Sequence, residues 1–411
     1  MQLDPDARLL HWIGRAFAKT VGPLGIAVSG GGDSMALLDL AARWAEQNDR
    51  QIMAVTVDHN LRDGSAKEAA GVAAFCASRG IAHDTLIWEN WDGHGNLQAQ
   101  ARDTRYRLIG QWAQDHGVGK VALGHTLDDN AETFVMRLAR KAGIDGLSAM
   151  QQDFARAGLQ WCRPLFMASR SELRDYLTRH ALQWVDDPSN EDVDFERIRV
   201  RKALSELASL GIDAPVLLHA GTAAAQARAA LAHYTAQEAR QQVTQQNGDL
   251  LLPARPEIPQ DITRRLQSKA VQWIGQLPYP PRQTSMQHLM VGIDLEGKHT
   301  LGGCLVTKEG TQLRITREAN ALRDTRTPTD AIWDGRWALT GPHDAALHIA
   351  RLGDAIKDCP DWRAADLPRA SLMASPAIWR DDMLVAAPLA GLQNGWSAQI
   401  VADFHSYLDT H

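Results

Sequence analysis

The sequence predicts an α/β fold: a parallel β-sheet covered by helices on both faces, then a mainly helical region and a small α+β region. Three observations carry that expectation. Short apolar runs alternate with helix-periodic runs from about residue 20 to residue 141. The first of those runs leaves through Gly30, Gly31 and Gly32 directly into a helical pattern. Past about residue 205 the alternation stops and an Ala- and Gln-rich stretch begins.

The elements follow in order. Residues 5–19 predict an amphipathic helix, with Leu9, Leu10, Trp12, Ile13 and Phe17 on one side. "LGIAVS" predicts a buried strand and "DSMALLDLAARWAEQ" a helix. "QIMAVTVDHN" predicts a second strand, residues 65–79 a helix, "HDTLIWE" a third strand and residues 96–116 a helix. "KVALGH" predicts a fourth strand and residues 127–141 a helix. Further on, residues 218–246 predict one long helix and 260–276 another, broken by "LPYPP". "KHTLGGCLVTKEGTQLRITRE" predicts a hairpin with Glu309 and Gly310 in its turn. "WDGRWAL" and "MLVAAPLAG" are the clearest strands beyond. The expected domains are 1–210, 211–320 and 321–411.

The bulk numbers exclude several classes. A chain of 411 residues with 45% apolar and 22% charged residues is a folded globular protein of two or three domains. No apolar stretch approaches the ~20 residues of a membrane helix. The acidic N-terminus "MQLDPDARLL" lacks the features of a signal peptide, and a cytoplasmic location is expected. Cys76, Cys162, Cys304 and Cys359 are far apart and make no C-x-x-C motif, which suits a reducing compartment. A formal charge of −6 means that any nucleic-acid partner is held by local basic patches.

A strand, a glycine-rich turn and a helix N-terminus together make an anion site, because free backbone N–H groups and the helix dipole converge on one spot. Ser29 and Ser34 add hydroxyl groups. Asp33 would repel a phosphate unless Mg²⁺ sits between them or it caps the helix. The loop has no Gly-Lys-Ser/Thr, and Met35 stands where a dinucleotide fingerprint needs a small residue. "SGGGDS" instead resembles the pyrophosphate loop (PP-loop) of the N-type ATP pyrophosphatases, Ser-Gly-Gly-x-Asp-Ser.

Further stretches narrow the resemblance: "VDHNLR" at 57–62, "NLQAQARDTRYRLI" at 96–109, "GHTLDDNAETFVMRLARKAGIDGLSAM" at 124–150, "RPL" at 163–165 and "DDPSNEDVDFERIRVR" at 186–201. In this order they resemble the tRNA(Ile)-lysidine synthase family, strongly over 20–205, moderately over 215–317 and weakly beyond. The resemblance implies a Rossmann-like PP-loop ATPase catalytic domain. It implies an ATP-dependent ligase that joins free L-lysine to C2 of the wobble cytidine of tRNA(Ile) with a CAU anticodon, through an adenylated tRNA. ATP and Mg²⁺ are the implied cofactors, with Ser29, Gly30, Gly31, Gly32, Asp33 and Ser34 on ATP and Asp33 near the metal. Ala27, Val57 and Asp58 would flank the adenosine. Arg105, Asp129 and Glu132 would be catalytic, the two acids receiving lysine, with His125 and Asp128 as further candidates. Arg137, Arg140, Lys141, Arg197, Arg199 and Arg201 would meet tRNA, as would the two C-terminal regions. The family has an Arg-Asn pair before its last basic cluster; here Ile198 follows Arg197.

Other readings stay open at this level. Thr126-Leu127-Asp128-Asp129 fits a helix-capping box, and the basic residues fit solvated helix faces. Trp333, Trp337, Trp362 and Trp379 suit a core better than stacking platforms. A PP-loop tRNA thiolase or another adenylating tRNA-modifying enzyme is the alternative within the superfamily, and a non-catalytic ATP sensor is the alternative outside it. Monomer and homodimer are both compatible with the sequence.

Overall fold

The computed structural model describes residues 4–60, 64–88, 97–185 and 196–410. The chain divides into two compact units, residues 1–228 and 229–411.

The first unit begins with helix α1 (Pro5–Phe17), strand β1 (Leu24–Ala27), α2 (Gly32–Gln47) and β2 (Ile52–Asp58). Then come α3 (Ser65–Ser78), β3 (Ala82–Ile87), α4 (Leu97–Asp115), β4 (Lys120–Leu123), α5 (Leu127–Ala139) and α6 (Ile144–Leu147). A hairpin of β5 (Asp153–Arg156) and β6 (Leu159–Cys162) precedes α7 (Arg170–Arg179), α8 (Glu196–Ala208) and α9 (Ala214–Gln242), within which the division into units falls. Glu89, Asn96, residues 61–62 and residues 186–195 of the expected motifs lie outside the described residues.

The six strands form one sheet in the order β3-β2-β1-β4-β6-β5. Leu24 of β1 pairs in parallel with Ile52 of β2 on one side and Lys120 of β4 on the other. The α/β expectation therefore holds, with one addition: β5 runs antiparallel to β6 and closes the edge. Chain order reverses direction across the sheet between β1 and β4, so their carboxyl ends flank a crevice suited to a ligand. Apolar burial holds this frame. Leu24, Ile26, Leu37 and Leu38 are all fully buried, each contributing about 1.5–3 kcal/mol relative to exposure.

The second unit contains β7 (Thr244–Gln246), β8 (Asp249–Pro253), α10 (Gln260–Gly275), α11 (Gln283–Glu296), β9 (Lys298–Leu301), β10 (Cys304–Glu309) and β11 (Gln312–Arg317). It ends with β12 (Thr327–Pro328), β13 (Trp337–Thr340), β14 (His348–Arg351), α12 (Arg369–Met373), β15 (Pro376–Arg380), β16 (Met383–Ala386), β17 (Ser397–Ile400) and α13 (Phe404–Thr410). Helices α9, α10 and α11 carry most of 211–320, as expected, and β7-β8-β11-β10-β9 add a five-stranded antiparallel sheet. The expected hairpin at 298–318 is a three-stranded meander within it. Residues 321–411 do not stand alone. Phe404 of α13 is fully buried in the core that α10 builds on that sheet, its ring 5.7 Å from that of Trp273. A shared core makes 229–411 one unit. Trp333 and Trp337 are buried in a second core, as their composition suggested.

Candidate active site

The loop after β1 is built by its own residues. Gly30 has φ of +86°, a left-handed conformation that side chains resist, and its carbonyl accepts from Val185 N at 3.0 Å. No side chain caps α2 at Gly31, so the first N–H groups of the helix stay available to a ligand. Ser34 Oγ donates to Gly31 O at 2.8 Å and accepts from Ser29 N at 3.2 Å, which folds the loop back over the helix start.

A cleft of ≈ 630 Å³ opens over this loop. Ser29, Gly31, Gly32, Asp33 and Ser34 form its floor. Ala27, Val55, Val57, Ile109 and Leu123 give it an apolar wall, and Asp129, His125, Arg105, Arg170, Arg174 and Arg201 the polar one. Asp58 does not line it; its Oδ1 accepts from Asn60 N at 2.8 Å and shapes the turn after β2.

The acids lie at the start of α5. Thr126 and Asp129 form the capping box: Asp129 Oδ2 accepts from Thr126 N at 2.8 Å and from its hydroxyl at 3.0 Å. That leaves Asp129 Oδ1, which takes longer contacts from Arg170 Nη2 at 3.3 Å and Arg197 Nη2 at 3.5 Å. Glu132 is only 1% exposed and does not line the cleft. Its oxygens accept from Arg197 Nε at 2.6 Å, Arg201 Nε at 2.6 Å and Arg170 Nη1 at 3.2 Å. Asp128 Oδ2 accepts from Arg170 N at 2.7 Å, so it supports the start of α7.

These placements redirect the expected tRNA contacts. Arg197 and Arg201 turn inward to Glu132. Arg137 Nη1 donates to Gly146 O at 2.9 Å and Ser148 O at 3.0 Å, holding the chain after α5. Arg140 pairs with Glu196. Lys141 and Arg199 are exposed, and Ile198, in the place of the family's Asn, is buried.

Three arginines were not singled out by the sequence. Arg170 joins Asp33 Oδ2 at 3.2 Å to the acid pair. Arg163 Nε donates to His125 Nδ1 at 3.2 Å. Arg156 lies 4.2 Å over the ring of Tyr106, which Arg102 and Arg105 also approach. "RPL" contains Arg163 and "ARDTRYR" contains Arg102, so those motifs held a signal; Arg170 reads only as the first residue of a capped helix.

Electrostatics follow from this packing. Burial pushes the Asp33 carboxyl up to about 6, Arg170 opposing and Asp129 and Asp128 adding to it. Burial also depresses His125 to about 3, helped by Arg163 and Arg105 against the pull of Asp129. Because an arginine Nε–H only donates, His125 accepts at Nδ1 and its neutral ring carries the proton on Nε2. Asp129 is raised by burial but held below the usual carboxylate range by Arg197 and Arg170. Arg105 is lowered by burial and by the neighbouring cations Arg102, Arg156 and Arg197. It donates no hydrogen bond among the described residues, which leaves a guanidinium available for an anion.

All four cysteines are free and buried. Burial pushes Cys76 to about 11 and Cys162 and Cys304 to about 12, the opposite of the low-pKa thiols that sulfur chemistry uses. No helix among the described residues is long and apolar enough to cross a membrane.

Residues 6–208 match the family model described as a PP-loop domain. A tRNA(Ile)-lysidine synthase of Ruegeria pomeroyi is 45% identical over 394 residues, 94% of each chain. One of Mesorhizobium japonicum is 38% identical over 375 residues, 86% of this chain and 81% of the relative. One of Wolbachia pipientis is 33% identical over 388 residues, 88% of each chain.

Proposed function

Since the chain belongs to the tRNA(Ile)-lysidine synthase family, we propose that its cleft adenylates the wobble cytidine of tRNA(Ile) and then joins free lysine to it. The observation that carries this reading is one cleft lined both by an uncapped helix N-terminus with its glycine loop and by a carboxylate held ionised by arginines.

ATP enters with its adenosine against Ala27, Val57 and Leu123 and its phosphates over residues 29–34. Among the described residues no group of three or more His, Cys, Asp or Glu side chains is placed to hold a metal ion alone. Asp33, at the phosphate end, fits Mg²⁺ that keeps phosphate oxygens as its other ligands. Bound there, Mg²⁺ would offset charge on the departing phosphates. The C2 oxygen of cytidine attacks the α-phosphorus, the bond from the α-phosphorus to the bridging oxygen breaks, and pyrophosphate leaves. Arg105, on the cleft wall and without an ion pair among the described residues, is suited to the adenylate phosphate.

In the second step the ε-amine of lysine, having lost a proton, attacks C2 and AMP departs with the C2 oxygen. Asp129 offers Oδ1 to the incoming ammonium. Glu132 acts behind it, fixing Arg197 and Arg201. Lys141, Arg199 and the second unit are the proposed tRNA contacts, and phosphate neutralisation supplies the affinity. The buried thiols speak against a thiolase, and the acid–arginine cluster has no purpose in a mere nucleotide sensor.

Mass spectrometry of tRNA(Ile) incubated with the full chain, ATP, Mg²⁺ and isotopically labelled lysine tests the proposal. One labelled lysine per tRNA, with release of pyrophosphate that requires tRNA, is expected. Unmodified tRNA, or a sulfur substitution, would overturn it.

A further inference from the structure

Arg170 stands where the two halves of the reaction meet. Each nitrogen of its guanidinium serves a different carboxylate: Nε donates to Asp33 at 3.2 Å, Nη2 to Asp129 at 3.3 Å and Nη1 to Glu132 at 3.2 Å. These contacts are long beside the 2.6 Å bonds that Arg197 and Arg201 make to Glu132. The side chain is 22% exposed and lines the cleft. Its backbone is fixed independently, by Asp128 and by the Ser169–Glu172 capping box, so the guanidinium can move without the helix moving.

The accounting of oxygens is restrictive. Asp129 Oδ2 is committed to Thr126, and Glu132 is committed to Arg197 and Arg201. Of the Asp129–Glu132 pair, Asp129 Oδ1 is the oxygen left for an incoming ammonium, and Arg170 at 3.3 Å and the more exposed Arg197 at 3.5 Å already share it. Charge is equally restrictive. Asp33, Asp129 and Glu132 are already ion-paired with Arg170, Arg197 and Arg201, so a further cation has to displace one of these partners to gain a carboxylate. A triphosphate over residues 29–34 changes that balance, because it offers Arg170 a stronger anionic partner on its Asp33 side.

We infer that Arg170 is a positioning residue that occupies the amine site until the nucleotide draws it away, so that ATP binding opens the site to lysine. The inference rests on the proposed function. The two ligands share one movable guanidinium, which makes their binding free energies reciprocal. Lysine then binds weakly to the free enzyme and more tightly once the phosphate end is filled. The device orders the reaction: the amine site becomes competent where adenylation can follow.

The test measures labelled lysine binding to the full chain by equilibrium dialysis, with and without a non-hydrolysable α,β-methylene analogue of ATP. In the wild type the analogue should tighten lysine binding by about tenfold, within the usual range for coupled sites. Arg170→Ala should bind lysine without nucleotide as tightly as the wild type does with it, and the analogue should then add less than about twofold. Arg170→Lys keeps a cation but not the three-way fork, and should show coupling at least about threefold below wild type. It carries the test alone should Arg170→Ala fail to unfold cooperatively. Weaker lysine binding in Arg170→Ala, or wild-type coupling in Arg170→Lys, would overturn the inference. So would a wild type that binds lysine equally with and without the analogue. A wild type that never binds lysine would instead sink the proposed function itself.

Discussion

Replacing Glu132 by Gln separates support from substrate contact. Its side chain is 1% exposed and accepts from three guanidiniums. A glutamine keeps one acceptor and turns an amide NH₂ toward arginine donors. Removing one partner of a buried ion pair costs about 3–5 kcal/mol. Arg197 and Arg201 are 44% and 31% exposed, so both can turn to solvent, and a loss of about 2–3 kcal/mol is expected instead. Unfolding a unit of 228 residues at ~2.1 cal/mol/K per residue gives ~0.5 kcal/mol/K, so Tm should fall by about 4–6 °C. Calorimetry reads that shift. The double variant Glu132→Gln/Arg201→Gln should recover about half of it, because one stranded cation is gone. The contrast is Asp129→Asn. Its amide oxygen can still accept from Thr126, so stability should drop by about 1 kcal/mol, while the lysine KM rises about 10- to 100-fold with the loss of a charged acceptor. If Glu132→Gln melts within about 1 °C of wild type yet loses lysine transfer, the carboxylate touches substrate and the division of labour drawn here is wrong.

Three other perturbations probe the remaining parts. A Cβ at Gly124 would stand 3.1 Å from Asp33 O, Ser34 N and Ser34 Cα; Gly124→Ala should therefore push on the phosphate loop, cost about 1–3 kcal/mol and raise the ATP KM several-fold in a pyrophosphate-release assay. His125 titrates near 3 when folded and near 6.5 when unfolded, so below 6.5 the unfolded chain binds the extra proton and stability falls with pH by up to about 1.4 kcal/mol per unit. Urea melts at a series of pH values should show that slope in wild type and a flatter one in His125→Asn. The affinity for tRNA should fall with rising salt, and Lys141→Gln and Arg199→Gln should each reduce the slope of log K against log salt by about one; a flat response in filter binding would remove both from the docking surface.

How much of this was legible in the sequence depends on the range of the contact. The β1–glycine–α2 passage is local: strand, turn and helix start are adjacent in the chain, and their chemistry reads directly. The Thr126–Asp129 cap is local too, and it was visible as one reading of the acids; the structure shows that Asp129 caps with one oxygen and leaves the other. Arg170 was invisible because it contacts Asp33 across 137 residues, and no periodicity encodes that pairing. Arg197 and Arg201 looked like a surface patch for the same reason: charge is read from sequence, direction is not. The β7–β8 hairpin was missed despite a usable signal. Asn247 and Gly248 both have positive φ, as their dipeptide invites, but the Ala- and Gln-rich run before them extended the expected helix too far.

The arrangement also bears on how lysine loses its proton. A general base must have a pKa near that of its working pH. Asp129 is held below the usual carboxylate range, which suits it to bind an ammonium and makes it a poor base. His125 is depressed to about 3, and its Nδ1 is occupied by the Arg163 Nε–H. Neither takes a proton readily near neutrality. The cluster supplies another means. Arg105 and Arg201 line the cleft and Arg197 reaches Asp129 Oδ1, so an amine bound there on the proposed function would sit beside cations, and a cation beside cations gives up a proton more easily. Arg197, which helps to keep Asp129 ionised, would thus also lower the basicity of an amine held at Oδ1. On the proposed function, recognition and activation then come from one set of charges, and neither Asp129 nor His125 need accept the proton.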